Sequence, residues 1–144
     1  AINPENARMN LIERQQEIID EFDMLGDWME RYQYLVQLGR MMDPLPDADK
    51  TDDNLIRGCQ SQVWVAVDDS GDTLKFRGGS DAAIVNGLVA LTLRVYSDAP
   101  ASEIAATEPT FVEGIGLAEH LSPTRSNGLH SLLQRIRSEA ASRA

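Results

Sequence analysis

Cys59 is the one thiol of the chain, and it stands in the run Arg57-Gly58-Cys59-Gln60-Ser61-Gln62. Thiolate, not thiol, is the nucleophile, so the neighbours of a cysteine decide what it can do. Gly58 permits a sharp turn beside the sulfur. Gln60, Ser61, Gln62 and nearby backbone N–H groups are potential donors to a sulfur anion, and Arg57 brings positive charge. Together these residues predict a loop thiol biased toward thiolate. The other reading of a lone cysteine is an inert core residue, and the polar run after Cys59 speaks against it. His120 and His130 are the only imidazoles. A Cys–His pair would point to a hydrolase or an acyl-transfer enzyme, but no local signature ties either histidine to Cys59, and each reads as a surface or cap residue. Metal binding by Cys59, the histidines and a carboxylate has no ligand spacing behind it. Gly78-Gly79-Ser80 ahead of a helix is a weak candidate for facing an anion, and a plain strand-to-helix turn is the simpler reading. Arg125 follows Ser122-Pro123 in what should be the first turn of a helix, where a cation opposes the helix dipole. Either it has a partner there, such as an acidic loop or the Cys59 loop, or it is solvated.

A single cysteine excludes an internal disulfide, a Cys-rich zinc site and a self-contained iron–sulfur cluster. The length of 144 residues fits one domain, residues 1–144, able to bury a core of its own. Lys plus Arg is 13 against 23 for Asp plus Glu, a formal net charge of −10. Residues 1–72 hold 16 acids and 6 bases, and residues 73–144 hold 7 of each, so the whole excess lies in the first half. Such a field repels phosphate, which argues against nucleic acid and against an anionic membrane surface. It suits a basic protein surface, with solubility as the simplest explanation. The longest apolar run, Val63 to Val67, is far too short to span a bilayer, and residues 1–20 show no secretory core. The expected setting is a reducing, cytoplasmic one.

Several elements must position the loop. Residues 5–24 have Leu11, Ile12, Ile18, Ile19 and Phe22 at helical period, with Glu and Arg on the other side. Leu25-Gly26 breaks the pattern, and Asp27 with Glu30 starts a second helix that carries Trp28, Tyr32, Leu35, Val36 and Met42 near one face. The two helices read as a hairpin. Residues 43–53 hold two prolines and five Asp and read as an irregular acidic loop. Residues 54–57, 63–67 and 73–77 are candidate strands of a small antiparallel meander, with Gly78-Gly79 ending the last. Ser80 or Asp81 caps a helix through about Tyr96. A short helix near Ile104, another between Pro109 and Leu121, and a final one from Ser122-Pro123 complete the chain. In the final helix Leu129, Leu132, Leu133, Ile136 and Ala140 form a stripe, and Arg135, Arg137 and Arg143 lie toward the end that favours cations. Trp28, Tyr32, Trp64 and Tyr96 read as core residues. The fold class is α+β: a single domain with a two- to three-stranded antiparallel sheet flanked by helices.

The segments Asn54-Leu-Ile-Arg-Gly-Cys-Gln-Ser-Gln-Val-Trp64, Gly79-Ser-Asp-Ala-Ala-Ile-Val-Asn-Gly-Leu88 and His120-Leu-Ser-Pro-Thr-Arg-Ser-Asn-Gly-Leu129 together resemble the SufE family of sulfur-acceptor proteins. The helix with Trp28, Glu30, Tyr32 and Leu38-Gly39 fits as well, and the resemblance runs from about residue 10 to the end. It implies a fold similar to the SufE and IscU type. It also implies that Cys59 takes sulfane sulfur as a persulfide from a SufS-type cysteine desulfurase, stimulates that enzyme and passes the sulfur to a SufBCD-type scaffold complex. Arg57, Gly58, Gln60 and Ser61 would support the Cys59 loop, and Arg125 would contact the loop or the partner. Pyridoxal phosphate would belong to the desulfurase, leaving this chain without a cofactor. The protein would act as monomer or homodimer. An alternative is a non-catalytic module that activates the desulfurase allosterically, and a Cys–His hydrolase is a third reading.

Overall fold

The computed structural model of the chain describes residue 6 and residues 8–144. The first helix, α1, covers Leu11–Asp23. Its start is fixed by a reciprocal cap, in which the Asn10 side chain accepts from the Glu13 N–H at 2.8 Å and the Glu13 carboxylate accepts from the Asn10 N–H at 3.2 Å. The single helix expected over residues 5–24 is therefore interrupted at Met9-Asn10, and residues 5 and 7 lie outside the described residues. Arg14 and Gln15 do not join the charged outer side that the helical period predicts, but lie on the buried side with Leu11, Ile18 and Phe22.

Helix α2 covers Trp28–Met41. Asp27 accepts from the Glu30 N–H at 3.0 Å, while the Glu30 carboxylate reaches one residue further back, to the Gly26 N–H at 2.6 Å. The expected hairpin is not how α1 and α2 pack. They meet mainly where Phe22 lies edge-on to Tyr34, with ring centroids 5.3 Å apart. The long partner of α2 is instead α3, Ala83–Tyr96. Their approach is close: a Cβ on Gly87 would fall 2.1 Å from the Leu35 carbonyl oxygen. The glycine lets two backbones touch where any side chain would push the helices apart.

Two strands, β1 (Val63–Asp68) and β2 (Lys75–Ser80), pair antiparallel from Val63 opposite Ser80 to Asp68 opposite Lys75. Gly78 and Gly79 do not end the second strand but belong to it. A Cβ on Gly78 would come within 2.8 Å of Val89 Cγ1, so α3 lies on a sheet face with room only for glycine. Helix α3 consequently starts later than Ser80 or Asp81 would allow as caps, at an Ala82 N-cap without a side-chain bond. The segment expected as a first strand forms a single bridge, Leu55 to Trp64, held by Ile56 N–H to Val63 O at 2.8 Å and Val65 N–H to Asn54 O at 2.9 Å. The acidic loop contains one 3₁₀ turn, Asp47–Asp49, and Asp49 pairs with Arg77 at 3.0 Å.

Short helices α4 (Ala101–Ala106), α5 (Thr110–Ile115) and α6 (Leu117–His120) lead to the long α7, Pro123–Ala141. Ser122 caps α7 by accepting from the Arg125 N–H at 3.3 Å, with Pro123 in the first turn. The Leu129, Leu132, Leu133, Ile136 and Ala140 stripe is buried, as expected. The arginines near its end act as cross-links rather than as dipole partners. Arg137 reaches Glu108 at 3.1 Å, Arg143 reaches Asp69 at 2.7 Å, and Arg135 bonds Glu139 and the Leu55 carbonyl. The chain is thus an α+β domain with its core between the sheet, α3 and the flanking helices. No helix among the described residues is long and apolar enough to cross a membrane.

Candidate functional site

Cys59 lies in the segment that joins the Leu55 bridge to β1, and it is half-buried. Gly58 beside it has φ +90°, a conformation that L side chains avoid, and a Cβ there would also meet Ser131 Oγ at 2.9 Å. This turn lays the thiol against α7. Cys59 Sγ is 3.6 Å from the Gly128 carbonyl oxygen, its one hydrogen-bond partner among the described residues. Only a thiol S–H can donate to a carbonyl, so this contact favours the neutral form. Burial pushes the thiol further up from its ordinary pKa. The resting surroundings therefore favour thiol, against the bias toward thiolate expected from the loop composition. The physical reason is that the sulfur is partly buried against the Gly128 carbonyl, while Arg57 is exposed and does not line its cavity.

That cavity has a volume of about 400 Å³. Cys59, Gln60 and Ser61 form one wall, Val63, Val85 and Leu88 another, and the first turns of α7 a third. Of the residues expected to support the thiol, Gln60 and Ser61 thus reach the site. Arg125 also lines the cavity. Its partner is neither the acidic loop nor the Cys59 loop: its Nη1 donates to the Tyr32 hydroxyl of α2, and its guanidinium carbon lies 5.9 Å from that ring's centroid. Tyr32 was legible only as a core aromatic, and a phenol that receives an arginine across two helices leaves no mark in the sequence.

Neither histidine lines the cavity. His120 stacks on Trp28 with ring centroids 3.9 Å apart and has Nδ1 3.0 Å from the Gly116 carbonyl, so it is spent on packing α6 against α2. His130 is an exposed residue of α7. Trp64 is half-buried, with Lys50 Nζ 5.7 Å from its ring centroid, and both line a second cavity of about 420 Å³ beyond Gln62. Among the described residues no group of three or more His, Cys, Asp or Glu converges for a metal ion.

A half-exposed lone thiol over a cavity, with one weak partner, can form a covalent bond to an incoming atom and shelter it. It lacks a neighbouring base to drive hydrolysis. Comparison with known proteins bears on which chemistry it serves. Residues 16–140 match the SufE family model, described as an Fe-S metabolism associated domain. An uncharacterized SufE-like protein of Rhizobium etli is 46% identical over 146 aligned positions, covering 98% of each chain. A second such protein, from Rhizobium meliloti, is 45% identical over 132 positions, covering 88% of this chain and 94% of the relative. A solution structure of a hypothetical protein from Thermus thermophilus shares the fold at TM-score 0.74 and 21% identity, covering 90% of this chain and 94% of that one. The protein belongs to the SufE family, which is associated with iron–sulfur metabolism.

Proposed function

We propose that the protein is a sulfur acceptor in cytoplasmic iron–sulfur cluster assembly and that Cys59 carries the sulfur. The observation that supports this most is the placement of the only thiol at the wall of a cavity of about 400 Å³, held by one carbonyl at 3.6 Å. The donor is a SufS-type cysteine desulfurase, whose own pyridoxal phosphate generates a persulfide, and the recipient is a SufBCD-type scaffold. This chain itself needs no cofactor. The Cys59 thiolate attacks the outer sulfur of the donor persulfide. One S–S bond breaks, the donor cysteine leaves as thiolate, and Cys59–S–SH forms; the proton lost earlier by Cys59 goes to solvent. No net oxidation occurs. Because Sγ rests against Gly128, transfer requires it to leave that carbonyl, and the bond that must be given up is a weak one.

Incubation with desulfurase, pyridoxal phosphate and cysteine, followed by intact-mass measurement, tests the proposal. Wild type should gain the mass of one sulfur atom or more, and Cys59→Ser should gain none. Equal gain on both, or no gain on wild type, overturns it. Full stimulation of the desulfurase by Cys59→Ser alongside an unmodified wild type would instead identify a non-catalytic activator.

A further inference from the structure

Among the described residues that line the cavity, Arg125 is the only ionisable side chain besides Cys59. β1 and α3 present Val63, Val85 and Leu88 there, and the Cys59 loop adds Gln60 and Ser61. Arg57 on the loop and His130 on α7 are exposed and do not line it. Arg125 also differs from the arginines that cross-link through an ion pair. Arg77, Arg94, Arg135, Arg137 and Arg143 each pair with a carboxylate, whereas Arg125 donates to the Tyr32 hydroxyl. No carboxylate pairs with it among the described residues. Its backbone N–H is bonded by the Ser122 cap, so it stands in the first turn of α7, where the helix dipole opposes a cation. Among the described residues this guanidinium has no carboxylate partner, and the other ionisable group lining the same cavity is the Cys59 thiol.

We propose that Tyr32 is a positioning residue for sulfur transfer: its hydroxyl and ring hold the Arg125 guanidinium at the wall of the Cys59 cavity, where that cation stabilises the Cys59 thiolate. The inference rests on Cys59 as the sulfur-accepting residue. In a relay Cys59 is a thiolate twice. It is the nucleophile when it attacks the donor's outer sulfur, and it is the leaving group when an acceptor thiolate takes that sulfur from Cys59–S–SH. A lower thiol pKa raises the thiolate fraction for the first step and improves the leaving group for the second. Burial works against both while Sγ rests on the Gly128 carbonyl, and the proposed role of the cation begins when the sulfur leaves that carbonyl and ionises. Tyr32 acts only through Arg125. The ring supports the guanidinium face and the hydroxyl fixes its orientation.

The test is the pH dependence of Cys59 alkylation by iodoacetamide in the chain alone, where the single thiol makes the signal unambiguous. Tyr32→Phe and Arg125→Gln should lower the neutral-pH rate by about three- to tenfold, the scale of losing one partly screened charge. The alkaline plateau should stay unchanged, and Arg125→Lys should recover part of the loss. A merely structural role for the pair would lower the melting temperature without moving the midpoint of the pH profile. Superimposable profiles for wild type, Tyr32→Phe and Arg125→Gln would overturn the inference, and a shift in Arg125→Gln alone would remove Tyr32 from it. Failure of the mass assay would remove the sulfur relay while leaving these profiles intact, so the two failures are distinguishable.

Discussion

Two arginines mark two ends of the molecule that are built to opposite specifications. Arg14 is 2% exposed and lies at the C-terminal end of α3. Its Nη1 donates to the Val95 and Ser97 carbonyls at 3.1 and 2.7 Å, and its Nη2 donates to the Asp98 carbonyl at 2.9 Å. The Val95 and Ser97 carbonyls are acceptors that a helix end leaves without partners, and the dipole there favours a cation. The chain then turns at Asp98, with φ +62°, whose N–H bonds the Leu74 carbonyl at 2.7 Å and ties the helix end to the sheet side. Arg125 is exposed, stands at a helix start where the dipole opposes it, and bonds one phenol. At the Arg14 end the guanidinium is fixed by several bonds. At the Cys59 end the sulfur is held by one. The difference teaches where this fold places its stability and where it leaves a group free to react.

The sharpest way to break that contrast is to remove the fixed end. Arg14→Met leaves three carbonyls at the α3 end without donors, and each buried unsatisfied acceptor costs about 1–3 kcal/mol. A loss of about 3 kcal/mol or more in urea unfolding is expected, after allowing for partial rehydration. The Cys59 alkylation profile of the folded variant should not move. A coupled change at Cys59 would show that the two ends are one mechanical unit.

A milder change sits between the ends. Glu21 of α1 accepts from Tyr34 of α2 at 2.6 Å and pairs with Arg94 of α3, so one carboxylate joins three helices. Burial would raise its pKa, but the bonds from Arg94 and Tyr34 outweigh burial and hold it below the ordinary glutamate value. A carboxyl depressed in the folded state contributes stability that is fully present above its unfolded pKa and is lost as pH falls through the folded value. Glu21→Gln should cost about 1 kcal/mol at neutral pH. The gap to wild type should close as pH falls below about 4. A pH-independent gap would mean that packing, not charge, holds the junction.

The parts of this architecture that the sequence announces are those set by local chemistry. Ser122-Pro123 starts α7 because a hydroxyl and a ring at adjacent positions can do little else so well, and Gly58-Cys59 marks the loop because its neighbours are polar. What stayed hidden is set by distant residues. A helical-period count assigns Arg14 to solvent by its charge, and only the free carbonyls of α3, some eighty positions away, bring it inside. Gly78-Gly79 reads as a strand terminator until α3 is seen resting on it. The thiol environment inverted for the same reason, because the loop composition offers donors while the helix it packs on offers the Gly128 carbonyl. Arg125 stands out in the sequence by its conflict with the helix dipole, but the phenol it bonds lies on another helix.

The smallest expected effect probes the free end directly. Gly128 lies inside α7, where alanine is favoured over glycine by roughly 0.8–1 kcal/mol. A Cβ there would sit 3.5 Å from Cys59 Sγ and 3.9 Å from its Cβ, ordinary contact distances that demand no displacement. Gly128→Ala should therefore stabilise the fold by about 0.5–1 kcal/mol. It should also slow Cys59 alkylation by about two- to threefold, since the methyl covers part of the sulfur and adds contact to its resting position. If the variant were instead destabilised, the loop would have no freedom to accept a methyl at contact distance. Cys59 would then be fixed as firmly as Arg14, and the contrast between the two ends would fail at the thiol that defines one of them.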